Sequence, residues 1–381
     1  MLLMVWFAAI LLATLFIAYA NGANDNFKGV ATLFGSGTTD YRKALWWATV
    51  TTFAGSLAAF FLAQKLVKTF SGEGLLPNAV IGNPSFMVSV VLGAGLTVYS
   101  AARMGLPIST THSLIGALVG TGFVVAGSTI HVQVMWNRFF LPLLLSPVIA
   151  VVGTGLLYGL FHSTRRMFKI NRSTCLCVGE KRVPVCSLTD TGGLAIPFSS
   201  ASSVDVVVDD KKNCDTRILE IYEGNWFGVE VQQILDGLHF LSAGAVSFAR
   251  GLNDTPKLVA LGVAASVMGL EWNVALVALA MAFGGLVSAR RVAETVSHKI
   301  TKMNHGQGLT ANLVTAGLVI FASRLGVPVS TTHVSCGALF GIGLANGKAR
   351  WNVISSILGA WFLTLPIAAI LSGITSWILT T

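Results

Sequence analysis

Two short motifs occur twice in this chain, in the same order. Gly22-Ala23-Asn24-Asp25-Asn26-Phe27-Lys28 returns as Gly251-Leu252-Asn253-Asp254-Thr255-Pro256-Lys257. Downstream of each copy, Arg103-Met104-Gly105-Leu106-Pro107-Ile108-Ser109-Thr110-Thr111-His112 returns as Arg324-Leu325-Gly326-Val327-Pro328-Val329-Ser330-Thr331-Thr332-His333. An ordered double repeat constrains the fold strongly, because each half must build the same local structures.

The surroundings of the motifs are almost free of charge. Stretches without Asp, Glu, Lys or Arg cover 1–24, 44–64, 74–102, 104–137, 139–164, 272–289, 303–323, 325–347 and 351–381. A bilayer crossing takes ~20 mostly apolar residues. Charged residues make up 11% of the chain, against roughly 25% in a soluble domain. The chain therefore reads as an all-α polytopic membrane protein. The first apolar run lacks a basic lead and enters the first motif directly, which argues against a cleaved signal peptide.

Ten spans are expected, at about 3–36, 44–64, 85–102, 113–130 and 139–161, then 230–268, 272–289, 307–323, 334–346 and 352–378. The first and sixth overshoot the ~30 Å hydrocarbon layer at ~1.5 Å per residue, so each predicts a broken helix or re-entrant turn at its motif. Residues 1–161 form a first repeat, 162–226 a polar segment and 227–381 a second repeat. Five spans per half invert the second repeat relative to the first. With the N-terminus outside, inside loops hold Arg42, Lys43, Arg103, nine basic residues of 162–226, Arg290, Arg291, Lys299, Lys302, Lys348 and Arg350. Outside loops hold only Lys65, Lys68, Arg138 and Arg324. This bias places both termini outside and 162–226 in the cytoplasm, in the inner membrane if the cell is bacterial. The net charge of +9 thus reads as topology, and no basic stripe interleaved with aromatics suggests nucleic acid.

The segment 162–226 predicts a small β-rich cap, with Val204–Val208 and Arg217–Tyr222 flanking a turn at 209–213. It contains no catalytic constellation. Cys175, Cys177, Cys186 and Cys214 lie in it and Cys336 in a span; Cys-x-Cys is not zinc spacing, so these read as ordinary thiols with no cofactor.

Asp25 and Asp254 are acids at membrane depth, where a carboxylate costs ~3 kcal/mol and normally faces a partner or a pathway. Lys28 and Lys257 each lie one helical turn further on, which permits a structural ion pair. Asn24 and Asn253 add neutral oxygens beside the carboxylates, the donor set hard cations take. In the second block, Pro107 and Pro328 suit a first helical turn, followed by hydroxyls at Ser109, Thr110 and Thr111 and at Ser330, Thr331 and Thr332. Two such helix starts can present N–H groups to an anion. His112 and His333 suit a loop-orienting role, since no acid in the same block completes a triad.

At these residues the chain resembles the inorganic phosphate transporter (PiT) family, over both apolar halves but not over 162–226. The resemblance implies an inverted-repeat secondary transporter, not an enzyme, that carries phosphate with sodium or protons, commonly as a homodimer. It implies sodium at Asn24, Asp25, Asn253 and Asp254, and phosphate at Ser109–Thr111 and Ser330–Thr332, with Lys28 and Lys257 either binding phosphate or holding the carboxylates. Eukaryotic members of the family carry extra glutamates within spans, where this chain offers Thr51, Thr52 and Asn312.

Two buried carboxylates repel an anion, so phosphate is expected to enter only after two cations neutralise them. Proton-coupled, metal-phosphate and sulfate carriers of the same family are the nearest alternatives. A channel and an intramembrane hydrolase using Ser109 or Ser330 are remote ones.

Overall fold

The structure is a computed structural model and describes residues 2–71, 75–127, 131–169, 174–184, 200–210, 226–264 and 269–380. The major helices of the first half are α1 (Leu2–Asp25), α2 (Tyr41–Leu62), α3 (Pro84–Met104), α4 (Thr110–Ala126) and α5 (Leu141–Met167). Those of the second are α6 (Val231–Ala264), α7 (Leu270–Ser288), α8 (His305–Leu325), α9 (Thr331–Ala345) and α10 (Trp351–Thr380).

Seven helices among the described residues, not ten, are long and apolar enough to cross a membrane. With 17 and 15 residues, α4 and α9 are too short, reaching about 25 Å or less at ~1.5 Å per residue. Helix α6 is long enough at 34 residues but concentrates Arg250, Asp254 and Lys257 within two turns.

The two motif copies do not break alike. Helix α1 stops at Asp25, a 3₁₀ turn covers Asn26–Gly29, and helix resumes over Ala31–Gly35. The second copy, expected to break too, lies inside continuous α6. Pro256 lies within it, although an interior proline forfeits a backbone hydrogen bond and crowds the carbonyl four residues back. In the first copy Gly29 follows Lys28, and Val30 leaves the helical region at φ −112°, ψ 6°.

The second blocks do fold alike. Gly105 (φ 73°) and Gly326 (φ 76°) end α3 and α8 in the left-handed region, where glycine alone is unstrained. Leu106 N–H then returns to the Ala101 carbonyl and Val327 N–H to that of Ala322, both at 2.9 Å. The next helices start three residues later than the prolines suggest. Ser109 and Ser330 are the N-caps, their hydroxyls accepting the His112 and His333 N–H groups at 3.1 and 3.2 Å.

Glycines set the crossings, and the contacts exchange between halves. A Cβ on Gly22 of α1 would lie 2.0 Å from the Met281 carbonyl oxygen of α7, and one on Gly251 of α6 2.1 Å from that of Thr52 of α2. Likewise Gly55 meets Phe248 O at 2.0 Å and Gly284 meets Tyr19 O at 2.0 Å. The same exchange recurs further along: Gly116 and Gly120 of α4 approach the backbone of α10, and Gly337 and Gly341 of α9 approach that of α5. Small residues four apart allow such backbone contact between membrane helices.

Residues 1–159 and 239–381 form one compact unit and 160–238 another. The second unit carries antiparallel strands β1 (Thr174–Pro184), β2 (Ser200–Asp210) and β3 (Trp226–Glu230) in the order β2-β1-β3. Val204–Val208 pairs with β1, Val208 opposite Leu176; the partner expected for it, Arg217–Tyr222, and most of the expected turn lie outside the described residues.

Candidate functional site

Both motif copies and both Ser-Thr-Thr loops meet at one buried cluster. Each lysine bridges the halves. Lys28 Nζ donates to Asp25 Oδ1, to Asn24 Oδ1 at 2.7 Å, to the Ile108 carbonyl at 3.0 Å and to Thr332 Oγ1 at 2.7 Å. Lys257 Nζ donates to Asp254 Oδ1 at 3.3 Å, to the Val329 carbonyl at 2.8 Å and to Thr111 Oγ1 at 2.8 Å. Ile108 and Val329 hold equivalent places in the repeated block, as do Thr111 and Thr332. The lysine of one half thus ends on the loop of the other.

The remaining hydroxyls complete the lattice. Thr110 Oγ1 donates to Asp25 Oδ2 at 3.1 Å, and Thr331 Oγ1 to Asp254 Oδ2 at 3.4 Å. Ser109 and Ser330 cap helices and touch neither acid. The residues expected to hold sodium and those expected to hold phosphate interdigitate, and every carboxylate oxygen carries a donor. His112 and His333, from the two loops, face each other with ring centroids 4.3 Å apart. His333 also stacks on Trp361 at 3.8 Å, whose indole N–H donates to the Pro107 carbonyl at 3.0 Å.

Two residues that the motif reading passed over are central. Asn21 Nδ2 donates to Asp25 Oδ2 at 2.9 Å and reaches Asp254 Oδ2 at 3.4 Å, linking the two acids. Arg250, 1% exposed, donates to Asn21 Oδ1 at 2.7 Å, Asn26 Oδ1 at 3.1 Å and Thr52 Oγ1 at 3.4 Å. Its Nε lies 3.7 Å from Asp254 Oδ2. By the repeat offset Arg250 stands where the first copy has Asn21, so comparison of the copies alone passes over it. Its charge within an apolar span, one residue before the motif, was the available signal. Of the polar span residues, Thr52 touches Arg250, Asn312 sits between Thr32 and Ser242 at 3.0 and 3.2 Å, and Thr51 bonds its own helix at Trp47 O.

Counted at their ordinary charges, Asp25 and Asp254 face Lys28, Arg250 and Lys257, leaving one surplus positive charge. The ion pairs that the spacing permits are present, so each carboxylate already holds a cation of the chain itself, as burial of a charge demands. Among the described residues no three His, Cys, Asp or Glu side chains form a metal cluster.

A helical membrane chain that gathers five charged groups around two half-length helix starts has the build of a transporter with a buried ionic site. It belongs to the phosphate transporter family, whose profile matches residues 21–372, and is thus a multi-pass membrane transporter rather than an enzyme. Among its relatives are proteins named as phosphate permeases in two archaea. That of Pyrococcus abyssi is 30% identical over 97% of this chain and 96% of the relative. That of Pyrococcus horikoshii is 29% identical over the same shares. In fold the chain is similar to a solved sodium-dependent phosphate transporter, with a TM-score of 0.74, 20% identity and 99% of each chain covered.

Proposed function

We propose that the chain imports inorganic phosphate by symport with sodium, through one site shared by two inverted halves, 1–161 and 227–381. The observation that carries this reading is the reciprocal bracing of the cluster, in which Lys28 ends on Thr332 and Lys257 on Thr111. An exchange of contacts between halves is what a pseudo-two-fold axis produces. Together with the bias of basic residues, it supports an axis in the membrane plane, with both termini outside and 162–226 cytoplasmic. The surplus positive charge favours an anion, and the Ser-Thr-Thr helix starts supply N–H and hydroxyl donors to it. Sodium is favoured by the likeness in fold to a sodium-dependent phosphate transporter, with Asn24, Asp25 and Asp254 as its ligands; Asn253, expected beside them, turns its amide nitrogen rather than its oxygen inward.

Proton coupling has an observation of its own: both carboxylates already hold lysine ammonium groups. Uptake of labelled phosphate by proteoliposomes under opposed sodium and proton gradients separates the two. The expected result is uptake that follows the sodium gradient, and that Asp25→Asn or Asp254→Asn severs from sodium. Uptake driven by the proton gradient alone would overturn sodium symport.

A second expectation concerns selectivity. Monovalent phosphate donates O–H bonds to a buried acceptor, which sulfate cannot reproduce, and sites of this kind reject the analogue by about 10⁴-fold. Sulfate competing equally with phosphate in the same assay would refute that pairing.

A further inference from the structure

The ammonium of Lys28 sits inside a ready-made cation cage. Four oxygens of four chemical kinds converge on Nζ: the Asn24 amide, the Asp25 carboxylate, the Ile108 backbone carbonyl and the Thr332 hydroxyl. Each is aimed there by a second bond. Asn24 Nδ2 donates to Leu106 O at 2.9 Å, which turns the amide oxygen inward. Asp25 Oδ2 is occupied by Asn21 and Thr110, which leaves Oδ1 for the cage. Thr332 gives its proton to Ile108 O at 2.9 Å, which leaves an oxygen lone pair. One carboxylate and three neutral oxygens form the hard donor set that suits a monovalent cation.

The second copy is built one ligand short. The oxygens that Lys257 meets are three, from Asp254, Val329 and Thr111, with the Phe70 ring 5.7 Å away. Asn253 faces the other way: its Oδ1 accepts from Ser323 Oγ at 3.2 Å, and its Nδ2 points inward at Asp254 and Val329. The first half has Ala102 where the second has Ser323. With no hydroxyl at 102, nothing holds the Asn24 oxygen outward.

We infer that Lys28 is a tethered cation occupying a sodium-competent site, so that a free cation binds there only when Lys28 leaves. A tethered group competes at a high effective concentration. Phosphate in the cluster draws the ammonium toward itself and vacates the cage, while sodium in the cage releases the lysine for phosphate. Each ligand then tightens the other, as linkage requires. The use of this exchange in transport rests on the proposed symport; the binding site itself does not.

The test is ²²Na⁺ binding to purified protein in nanodiscs, with choline chloride as the control salt. The wild type is expected to bind sodium weakly alone and more tightly with phosphate. Lys28→Ala is expected to bind sodium about tenfold or more tighter without phosphate, the competitor having been removed. Lys257→Ala is expected to gain less, having three cage oxygens rather than four. Asp25→Asn combined with Lys28→Ala, which removes one charge of each sign and leaves the net charge of the cluster unchanged, is expected to fold and bind no sodium tightly. If Lys28→Ala folds only in sodium, its melting temperature is expected to rise with NaCl and not with choline chloride. Unchanged sodium affinity in Lys28→Ala, or equal gains in the two lysine variants, would overturn the inference. Wild-type uptake that ignores sodium, with a sodium site gained in Lys28→Ala, would sink the symport reading and leave the caged lysine standing.

Discussion

Arg250→Gln is expected to destabilise the folded protein by about 3–5 kcal/mol, the usual result of removing one partner from a buried ion pair. It is expected to abolish phosphate uptake as well. Arg250 is 1% exposed, and its loss strips donors from the Asn21 and Asn26 side-chain oxygens, both buried. Asp254 keeps Lys257 but loses its second cation. The larger consequence falls on Asn21. Arg250 occupies the Asn21 oxygen at 2.7 Å, which turns the amide nitrogen toward Asp25 and Asp254. Without that clamp the amide is free to rotate and the link between the acids goes. Arg250→Lys keeps the charge, but a single ammonium cannot reproduce a fork that reaches Asn21, Asn26, Thr52 and Asp254 together. Intermediate stability with poor uptake is therefore expected. Combining Arg250→Gln with Asp254→Asn removes both charges, so the double variant should be less destabilised than the sum of the two singles. Melting in nanodiscs checks the first effect and labelled uptake the second. A wild-type melting temperature for Arg250→Gln would show that the arginine is solvated rather than buried in the cluster.

What could be read from sequence divides along physical lines. Charge-free runs report membrane helices directly, because a charge at bilayer depth is costly. The repeated blocks report local structure well, since Gly105 and Gly326 with Ser109 and Ser330 encode a helix stop and a helix start in a few residues. Two things escaped. One was the conformation of the second Asn-Asp motif, where the length of the span suggested a break and the chain runs on as one helix. The other was whatever differs between the copies: Arg250 against Asn21, and Ser323 against Ala102. Reading by repeat favours what the halves share. The electrostatics of the cluster depend on what they do not, and partners across the cluster lie up to 307 residues apart in the chain.

Gly22→Ala and Gly251→Ala are expected to cost at least ~3 kcal/mol each, the upper end for overpacking, and to abolish uptake. A Cβ at Gly22 would sit 2.0 Å from the Met281 carbonyl oxygen, and one at Gly251 2.1 Å from that of Thr52. Both obstacles are backbone, so no side chain can swing aside and the helices must separate by more than an ångström. That separation moves Asp25 or Asp254 away from the loops they bond, so transport should fail even in variants rescued for folding. Gly317→Ala in α8 and Gly359→Ala in α10 add a methyl where nothing lies within 4 Å, and should be neutral or gain up to ~1 kcal/mol. Thr52 and Met281 occupy equivalent positions of the two halves, so the two penalties in melting temperature should match closely. Equal penalties at the glycines, beside unequal sodium gains at Lys28 and Lys257, would separate the symmetric scaffold from the asymmetric site it holds. A Gly22→Ala protein that melts and transports like the wild type would mean that α1 and α7 do not cross at this glycine.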